Sequence, residues 1–316
     1  MSGTVQAPVV VLGGTGVVGR GIVAAAVARG RPVIAVARNA SALDALQREY
    51  AQACVSTLVG SVASDAEGAR LAAALRTLRR PFAGVIVAVC GAAERGRLLD
   101  QPAAFLQRKL DLDLLPHLAA ARYLLPLLAE SDRGGSYVLI GGPGSEHPWA
   151  GYGHRSIGAA ALRMLARVLH DEARALAVRV QLLTVDTPVC RAQACARSSP
   201  QWPSALAVGQ RALALVDRDA DAAPAQEVVR YAGTSNAARA LPLSLPRQSG
   251  EEGRLRAPGS KTPVSALSQG RAPTTPPPSD TGTLPLPVRC LHDARALLDA
   301  LASPALPPNP HQEPSS

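Results

Sequence analysis

Apolar and polar positions alternate in a regular order over about the first 233 residues. Short runs that are apolar on both sides are predicted as buried strands at 8–12, 32–37, 55–59, 84–89, 136–140, 178–185 and 227–232. Stretches with apolar residues at helical spacing predict helices at 16–29, 40–53, 66–78, 102–128, 152–176 and 204–216. This order predicts a doubly wound α/β fold, in which one parallel sheet carries helices on both faces. Pro116 and Pro126 are expected to break or kink the helix at 102–128.

The periodic pattern stops after residue 233, which places a single domain at 1–236. Residues 237–287 are rich in Pro, Ser, Gly and Arg and have no apolar periodicity, so they are predicted to be a disordered linker. Residues 288–303 are amphipathic and predict a short helix, and residues 304–316 form a polar, Pro-rich tail that is predicted to be disordered. Within the domain, residues 190–203 carry few structural signals and are predicted to be a variable lid.

The formal net charge of +9 raises the question of a nucleic-acid or membrane partner. The positive residues are almost all Arg, they are scattered, and few aromatic residues accompany them, so a solvated surface is the preferred interpretation. The five cysteines have neither disulfide-framework nor zinc-site spacing, which argues against a bound metal. We see no secretory signal and no apolar run of membrane-spanning length, and therefore expect a soluble, cytoplasmic protein.

The most informative motif is a glycine-rich turn between the first strand and the first helix, Gly13-Gly14-Thr15-Gly16-Val17-Val18-Gly19. Gly13 can make a tight turn without a Cβ penalty, Gly16 lets the backbone approach a phosphate, and Gly19 lets the helix pack close to the strand. The unpaired amides and the dipole of the helix favour negative charge at its start. The turn therefore predicts a dinucleotide-binding site that includes Gly14, Thr15 and Val17.

The residue after the second strand indicates which dinucleotide is preferred. Folds that prefer NAD place a carboxylate there to hold the ribose 2′-hydroxyl, whereas this chain has Ala37-Arg38-Asn39. An Arg guanidinium pairs with a 2′-phosphate, so Arg38 favours NADP(H). The alternative is that Arg38 is an ordinary surface residue.

With these residues in place, the chain resembles the short-chain dehydrogenases/reductases over about residues 8–233. The resemblance is carried by the glycine turn, by the strand at 85–89 that leads into Cys90-Gly91, by the strand at 138–140, and by Tyr152 at the start of a long helix. It implies a nicotinamide cofactor that contacts Cys90 and Gly91, and a small-molecule substrate. It also implies a homo-oligomer as one possible assembly, because members of the family often dimerise through the helix after this Tyr.

The catalytic groups of the family are only partly present. The family uses a Tyr as proton donor, a Lys four residues later, a Ser after the fifth strand and an Asn on the preceding long helix. Tyr152 matches the Tyr, but Ser156 stands at the Lys position, Gly141 or Gly142 at the Ser position and Asp113 nearest the Asn position. Asp113 and the two residues Arg155 and Ser145 are the candidate supporting groups, with His154 as a further polar neighbour.

Two hypotheses follow. The first is an NADP(H)-dependent reductase of a small carbonyl or enone with Tyr152 as proton donor; a Tyr of ordinary pKa near 10 donates a proton more readily than it gives tyrosinate at pH 7. The second is a non-catalytic dinucleotide-binding protein, a sensor or partner of another enzyme. Nucleic-acid binding through the Arg-rich tail is a third, weaker hypothesis.

Overall fold

The computed structural model describes residues 6–131, 134–190, 202–217 and 226–232. These ranges cover most of the predicted domain. The predicted linker at 237–287, the helix at 288–303 and the tail at 304–316 lie outside the described residues, as does most of the predicted lid at 190–203.

Seven strands and seven α-helices alternate along the described chain. The strands are β1 (Val9–Leu12), β2 (Val33–Ala37), β3 (Val55–Val59), β4 (Gly84–Val87), β5 (Gly135–Gly141), β6 (Val178–Thr184) and β7 (Val228–Arg230). The helices are α1 (Val17–Ala28), α2 (Ala40–Glu49), α3 (Asp65–Arg76), α4 (Ala103–Asp113), α5 (Leu115–Ala129), α6 (Gly153–Glu172) and α7 (Ala205–Val216). Short 3₁₀ turns lie at Leu98–Asp100 and Ala173–Leu176.

The strands form one sheet in the order β3-β2-β1-β4-β5-β6-β7, and all of the pairings are parallel. From β1 the chain adds β2 and then β3 on one side of the sheet. It then crosses to β4, on the other side of β1, and adds β5, β6 and β7 in that direction, so the strand order reverses between β1 and β4. Apolar clusters cover both faces of the sheet, and β1, β2 and β4 are buried along their whole length. The predicted doubly wound fold is confirmed, and such folds bind ligands at the carboxyl ends of the strands beside this reversal.

The strand predicted at 84–89 ends at Val87, two residues early. The Ala88 amide still donates to the Leu12 carbonyl of β1 at 3.0 Å, but from Val89 onwards the main chain bonds to side chains of other elements. The Val89 carbonyl oxygen lies 3.1 Å from His117 Nε2, and the Gly91 amide donates to Asp113 Oδ1 at 2.7 Å. This departure from the sheet shapes the site described below.

The helix predicted at 102–128 is two helices that meet at Leu114, two residues before Pro116, so the break expected at this proline is confirmed. Pro116 fits the first turn of α5, where its missing N–H costs no helical hydrogen bond. Pro126 lies inside α5 without ending it, because it faces solvent and water can satisfy the carbonyl that it frees. The stretch 103–129 is apolar and long enough to cross a membrane by composition, but 56% of its most apolar window is buried in the domain.

The helices α1 and α7 pack side by side through two glycines. A Cβ atom on Gly21 would lie 2.0 Å from the Ala205 carbonyl oxygen, and one on Gly209 would lie 2.4 Å from the Gly21 carbonyl oxygen. Because both obstacles are main-chain atoms, they cannot move aside without separating the helices. This contact fixes α1 and therefore the start of α1, where the glycine turn lies.

We expect Gly209→Ala to lower the free energy of unfolding by about 1–3 kcal/mol or more, the usual cost of adding volume to a packed interior. Gly142→Ala is the matched control, since a Cβ there meets nothing within 4 Å, and its expected change is within about 0.5 kcal/mol. Urea unfolding followed by circular dichroism measures both values. Equal stability of the two variants would show that the α1–α7 contact tolerates a methyl group.

Candidate functional site

A cavity of about 450 Å³ lies at the carboxyl ends of the central strands. Its wall contains residues from the start of α1, from the ends of β4, β5 and β6, and from one face of α6. The lining residues include Val17, Cys90, Asp113, His117, Trp149, Arg155, Ala159 and Thr187. Most of the remaining wall is apolar, so the cavity is an apolar cleft with a few polar groups, as small-molecule sites usually are.

The glycine turn has the geometry that a phosphate-binding turn needs. Gly13 adopts a φ of +78°, and a Cβ there would lie 2.4 Å from the Ala88 carbonyl oxygen. A Cβ on Gly19 would lie 2.0 Å from the Gly13 carbonyl oxygen, so the close packing of α1 on the turn also requires glycine. At Gly16 the outer side is open, since a Cβ would meet only the Gly13 carbonyl oxygen, at 3.2 Å.

The start of α1 can receive an anion. Gly16 is the N-cap residue, no side chain caps the helix, and its first turn contains no acidic residue. The first amides of α1 therefore lack a side-chain acceptor while the helix dipole makes this end positive. Together with the open space at Gly16, this arrangement fits the pyrophosphate of a dinucleotide.

Arg38 follows β2 directly and is exposed. It makes no hydrogen bond or ion pair with any residue that the structure describes. The next residue, Asn39, accepts a hydrogen bond from the Ala42 amide and caps α2. Among the described residues, the Arg38 guanidinium is therefore unpaired. It lies at the carboxyl end of β2, where a doubly wound fold of this kind contacts the ribose of a dinucleotide.

The loop after β4 is held by four side chains, here called the loop clamp: Lys109, Asp113, His117 and Arg155. Asp113 Oδ1 accepts from the Gly91 amide at 2.7 Å, and Arg155 donates to the Gly91 carbonyl at 2.5 Å and to Asp113 Oδ1 at 3.3 Å. Lys109 Nζ donates to the Ala92 carbonyl at 3.2 Å and pairs with Glu94. The clamp thus joins the main chain of the loop at 89–92 to three helices, α4, α5 and α6.

His117 completes the clamp from α5 and lies on the cavity wall. It is 1% exposed, and its Nε2 lies 3.1 Å from the Val89 carbonyl oxygen. A carbonyl oxygen can only accept, so Nε2 carries the proton and donates. Burial lowers the pKa of His117 to about 4, and the bond to Val89 opposes this only in part. The imidazole is therefore neutral at pH 7.

One face of α6 forms part of the cavity wall, through Arg155, Gly158, Ala159 and Leu162. This is the i, i+3, i+4, i+7 pattern of a single helix face. Arg155 lies in the first turn of α6, and Ala159 follows it by four residues on the same face. Ser156 is buried outside the wall, and its Oγ accepts a hydrogen bond from the Trp149 amide at 2.8 Å.

Tyr152 is half-buried at the start of α6 and is not among the residues that line the cavity. Its ring stacks on the indole of Trp149, which does line the cavity, with ring centroids 4.4 Å apart. Ser145 is also outside the wall, and its Oγ is buried without a hydrogen-bond partner among the described residues. Of the predicted catalytic and supporting residues, the structure brings Asp113 and Arg155 together at the cavity and leaves Tyr152 and Ser145 beside it.

Sequence reasoning did not find His117, Trp149 or Ala159. The helical spacing from Asp113 to His117 was a usable signal, but it crosses the break at Leu114. Trp149 lies in a loop, where no periodicity shows which way a side chain points. Ala159 became visible only once the cavity face of α6 was known.

Comparisons with known proteins agree with this geometry. The family model described as short chain dehydrogenase matches residues 7–194. The chain belongs to the short-chain dehydrogenase/reductase family. Members of this family are oxidoreductases that act on small molecules and generally bind NAD(P)(H), and the predicted family is thereby confirmed.

Several solved structures share the fold at low sequence identity. A short-chain dehydrogenase from Streptomyces avermitilis has a TM-score of 0.61 and 22% identity, with 74% of this chain and 90% of that chain covered. A short-chain type dehydrogenase/reductase from Mycobacterium ulcerans gives 0.63 and 20%, with 72% and 88% covered. A short chain dehydrogenase from Mycobacterium smegmatis gives 0.62 and 18%, with 73% and 94% covered. No curated protein matches the sequence.

Among the described residues, no group of three or more His, Cys, Asp or Glu side chains could hold a metal ion. Cys54 and Cys90 are exposed and Cys190 is buried, and all three are free thiols.

The buried His117 predicts a pH dependence of stability. Its pKa is about 4 in the folded domain and near 6.5 in an unfolded chain. Between these values the unfolded chain takes up a proton that the folded domain does not, so stability falls as the pH drops from 6.5 to 4. The expected loss is about 3 kcal/mol, and it is absent above pH 7.

His117→Gln keeps an N–H donor for the Val89 carbonyl but does not titrate. Between pH 6.5 and pH 4, its free energy of unfolding should therefore fall by up to about 3 kcal/mol less than that of the wild type. Urea unfolding at pH 7 and pH 4.5 measures the difference, and His147→Gln is the control because His147 is exposed. A His117→Gln variant with the full pH dependence of the parent would show that another group is responsible.

Proposed function

We propose that this protein binds NADP(H) in the cavity and acts as a dinucleotide-binding sensor or partner protein without a Tyr–Lys proton relay. One observation carries the proposal. Arg155 in the first turn of α6 and Ala159 four residues later face the cavity, where a relay would need a Tyr and a Lys. We place this function in the cytoplasm, as the sequence predicts.

The chemistry of these two residues is unsuited to a relay. A guanidinium carries N–H donors but no acceptor and does not give up its proton at neutral pH, and the Ala159 side chain has no proton to donate. Arg155 is also engaged, since it donates to the Gly91 carbonyl and to Asp113. Arg155, the polar residue that α6 contributes to the described wall, therefore holds the loop after β4, and α6 presents no Tyr–Lys pair to the cavity.

The residues around the cavity fit the cofactor. The open turn at Gly16 and the uncapped amides of α1 would hold the pyrophosphate, with Gly13, Gly14, Thr15, Val17 and Gly19 forming the turn. Cys90 and Gly91 would lie along the cofactor, since Cys90 lines the cavity and the clamp fixes Gly91. Arg38 would pair with a 2′-phosphate. When bound, the cofactor supplies a hydride donor or acceptor.

A second candidate is the reduction of a small carbonyl or enone with Tyr152 as proton donor. The observation in its favour is that Tyr152 stacks directly on Trp149, so the phenol is one side chain away from the cavity. The two candidate functions share the cofactor site and differ in whether the Tyr152 phenol donates a proton to a substrate.

The cofactor preference is tested by Arg38→Asp. The loss of a charge-assisted bond and the added repulsion should weaken NADPH binding by roughly 10- to 100-fold, while NADH binding changes little. Arg48→Asp, the same charge change at an exposed position on α2, is the matched control. Calorimetry on the full chain measures each Kd. Equal losses for NADPH and NADH in the Arg38 variant would contradict the assignment of Arg38 to the 2′-phosphate.

The chemistry is tested by following NADPH oxidation with a panel of aldehydes, ketones and enones, for the wild type and for Tyr152→Phe. The proposal expects NADPH binding without turnover in both proteins. Turnover that is lost in Tyr152→Phe would establish the second candidate in its place. Absence of binding to either dinucleotide would overturn both.

A further inference from the structure

Tyr152 and Ser156, which residue spacing alone matched to the Tyr and Lys positions of the family, both contact Trp149. The Tyr152 ring stacks on the indole at a centroid distance of 4.4 Å and an interplanar angle of 29°, and the Tyr152 amide donates to the Trp149 carbonyl at 2.9 Å. Ser156 Oγ accepts from the Trp149 amide at 2.8 Å. The start of α6 therefore fixes both the main chain and the ring of Trp149.

Close packing keeps Ser156 in this position. A Cβ on Gly144 would lie 2.7 Å from Ser156 Oγ, and Gly144 has a φ of +104°, so glycine is required there for two reasons. Ser156 is 9% exposed, and a longer side chain at this position would have to displace the loop above it. The serine is thus fitted to the loop that carries Trp149.

The same loop is anchored at two further points. Glu146 forms ion pairs with Arg163 on α6 and with Arg230 on β7. On the other side, the Gly96 amide donates to the Gly151 carbonyl at 2.9 Å. Trp149 lies between these anchors, so it is a fixed part of the cavity wall.

The chemistry of the wall defines the class of ligand that it suits. The apolar residues Val17, Val89, Ile140, Leu162 and Pro188 line the cavity, as does Trp149. The two charged residues of the wall, Asp113 and Arg155, pair with each other and leave no net charge. An apolar, flat group gains from burial against such a surface, and aromatic stacking on an indole strengthens its binding beyond the effect of the area buried.

We propose that Trp149 is a specificity-determining residue for a flat, uncharged aromatic or conjugated ligand that binds in the cavity, and that Tyr152 and Ser156 are positioning residues that act through Trp149. The inference deepens the proposed function and rests on it, because it names a second ligand for the cavity that would receive the dinucleotide. It gives Tyr152 and Ser156 a role that needs no proton transfer.

The chain offers a spectroscopic test, because it contains two tryptophans, Trp149 and Trp202. In full-length Trp202→Phe, the indole emission comes from Trp149. We expect a saturable quench of this emission by 2-acetonaphthone, a flat aryl ketone, with and without NADPH. Calorimetry should show that Trp149→Leu binds the ketone at least about 5-fold more weakly than the wild type.

Matched variants distinguish a positioning role of Tyr152 and Ser156 from a role in proton donation. Tyr152→Phe keeps the stacked ring and should bind the ketone within about 2-fold of the wild type, whereas Tyr152→Leu and Ser156→Ala should each bind it more weakly by about 3-fold or more. In the Trp202→Phe background, the last two variants should also shift the emission maximum of Trp149. Thermal unfolding confirms that each variant is folded at the temperature of measurement.

The outcomes distinguish this inference from the proposed function. NADPH binding without any quench of Trp149 by the ketone overturns the inference and leaves the proposed function standing. A quench by the ketone without NADPH binding overturns the proposed function and supports the binding of an aromatic ligand against Trp149. Equal affinity of Trp149→Leu and the wild type for the ketone overturns the specificity role of Trp149, and equal losses in Tyr152→Phe and Tyr152→Leu overturn the positioning role of Tyr152.

Discussion

The site depends on one buried carboxylate, Asp113. It accepts a hydrogen bond from the Gly91 amide and pairs with Arg155, and so it ties the loop after β4 to the end of α4 and to the start of α6. Hydrogen bonds to charged groups contribute about 1.5–3 kcal/mol each, and loss of one partner would leave the other charge buried and unpaired. The position of the cavity wall therefore follows from this carboxylate as much as from the sheet.

The same arrangement explains why polar residues near a family active site need not be catalytic. Lys109, Asp113, His117 and Arg155 each bond to the main chain between residues 89 and 92. Their donors and acceptors satisfy a loop that has left the sheet, where unpaired main-chain groups would be costly. In a cavity built in this way, the clamp residues shape the wall that a ligand would meet.

Several features of the fold follow from sequence because they depend on local chemistry. The alternation of buried strands with amphipathic helices predicted the parallel, doubly wound sheet, and the glycines at 13, 16 and 19 predicted the turn at its first crossover. Pro116 likewise predicted the break that lies at Leu114, because a proline removes a helical hydrogen bond and clashes with the preceding turn. The early end of β4 could not be predicted in the same way, because it arises where the chain bonds to residues that are distant in sequence, as Gly91 does with Asp113.

The sequence by itself determined the order of elements, the family and the glycine turn, since periodicity and glycine spacing act over a few neighbouring residues. It also identified Asp113 and Arg155 as candidate supporting groups, although not the bonds that they make. Only the tertiary structure decided which residues of α6 face the cavity. A helix beginning one residue after Tyr152, held by the contacts of Trp149 and Asp113, turns Arg155 and Ala159 to the wall and Ser156 away from it. That rotation is set by packing between elements far apart in the chain, and for this reason residue spacing alone did not reveal it.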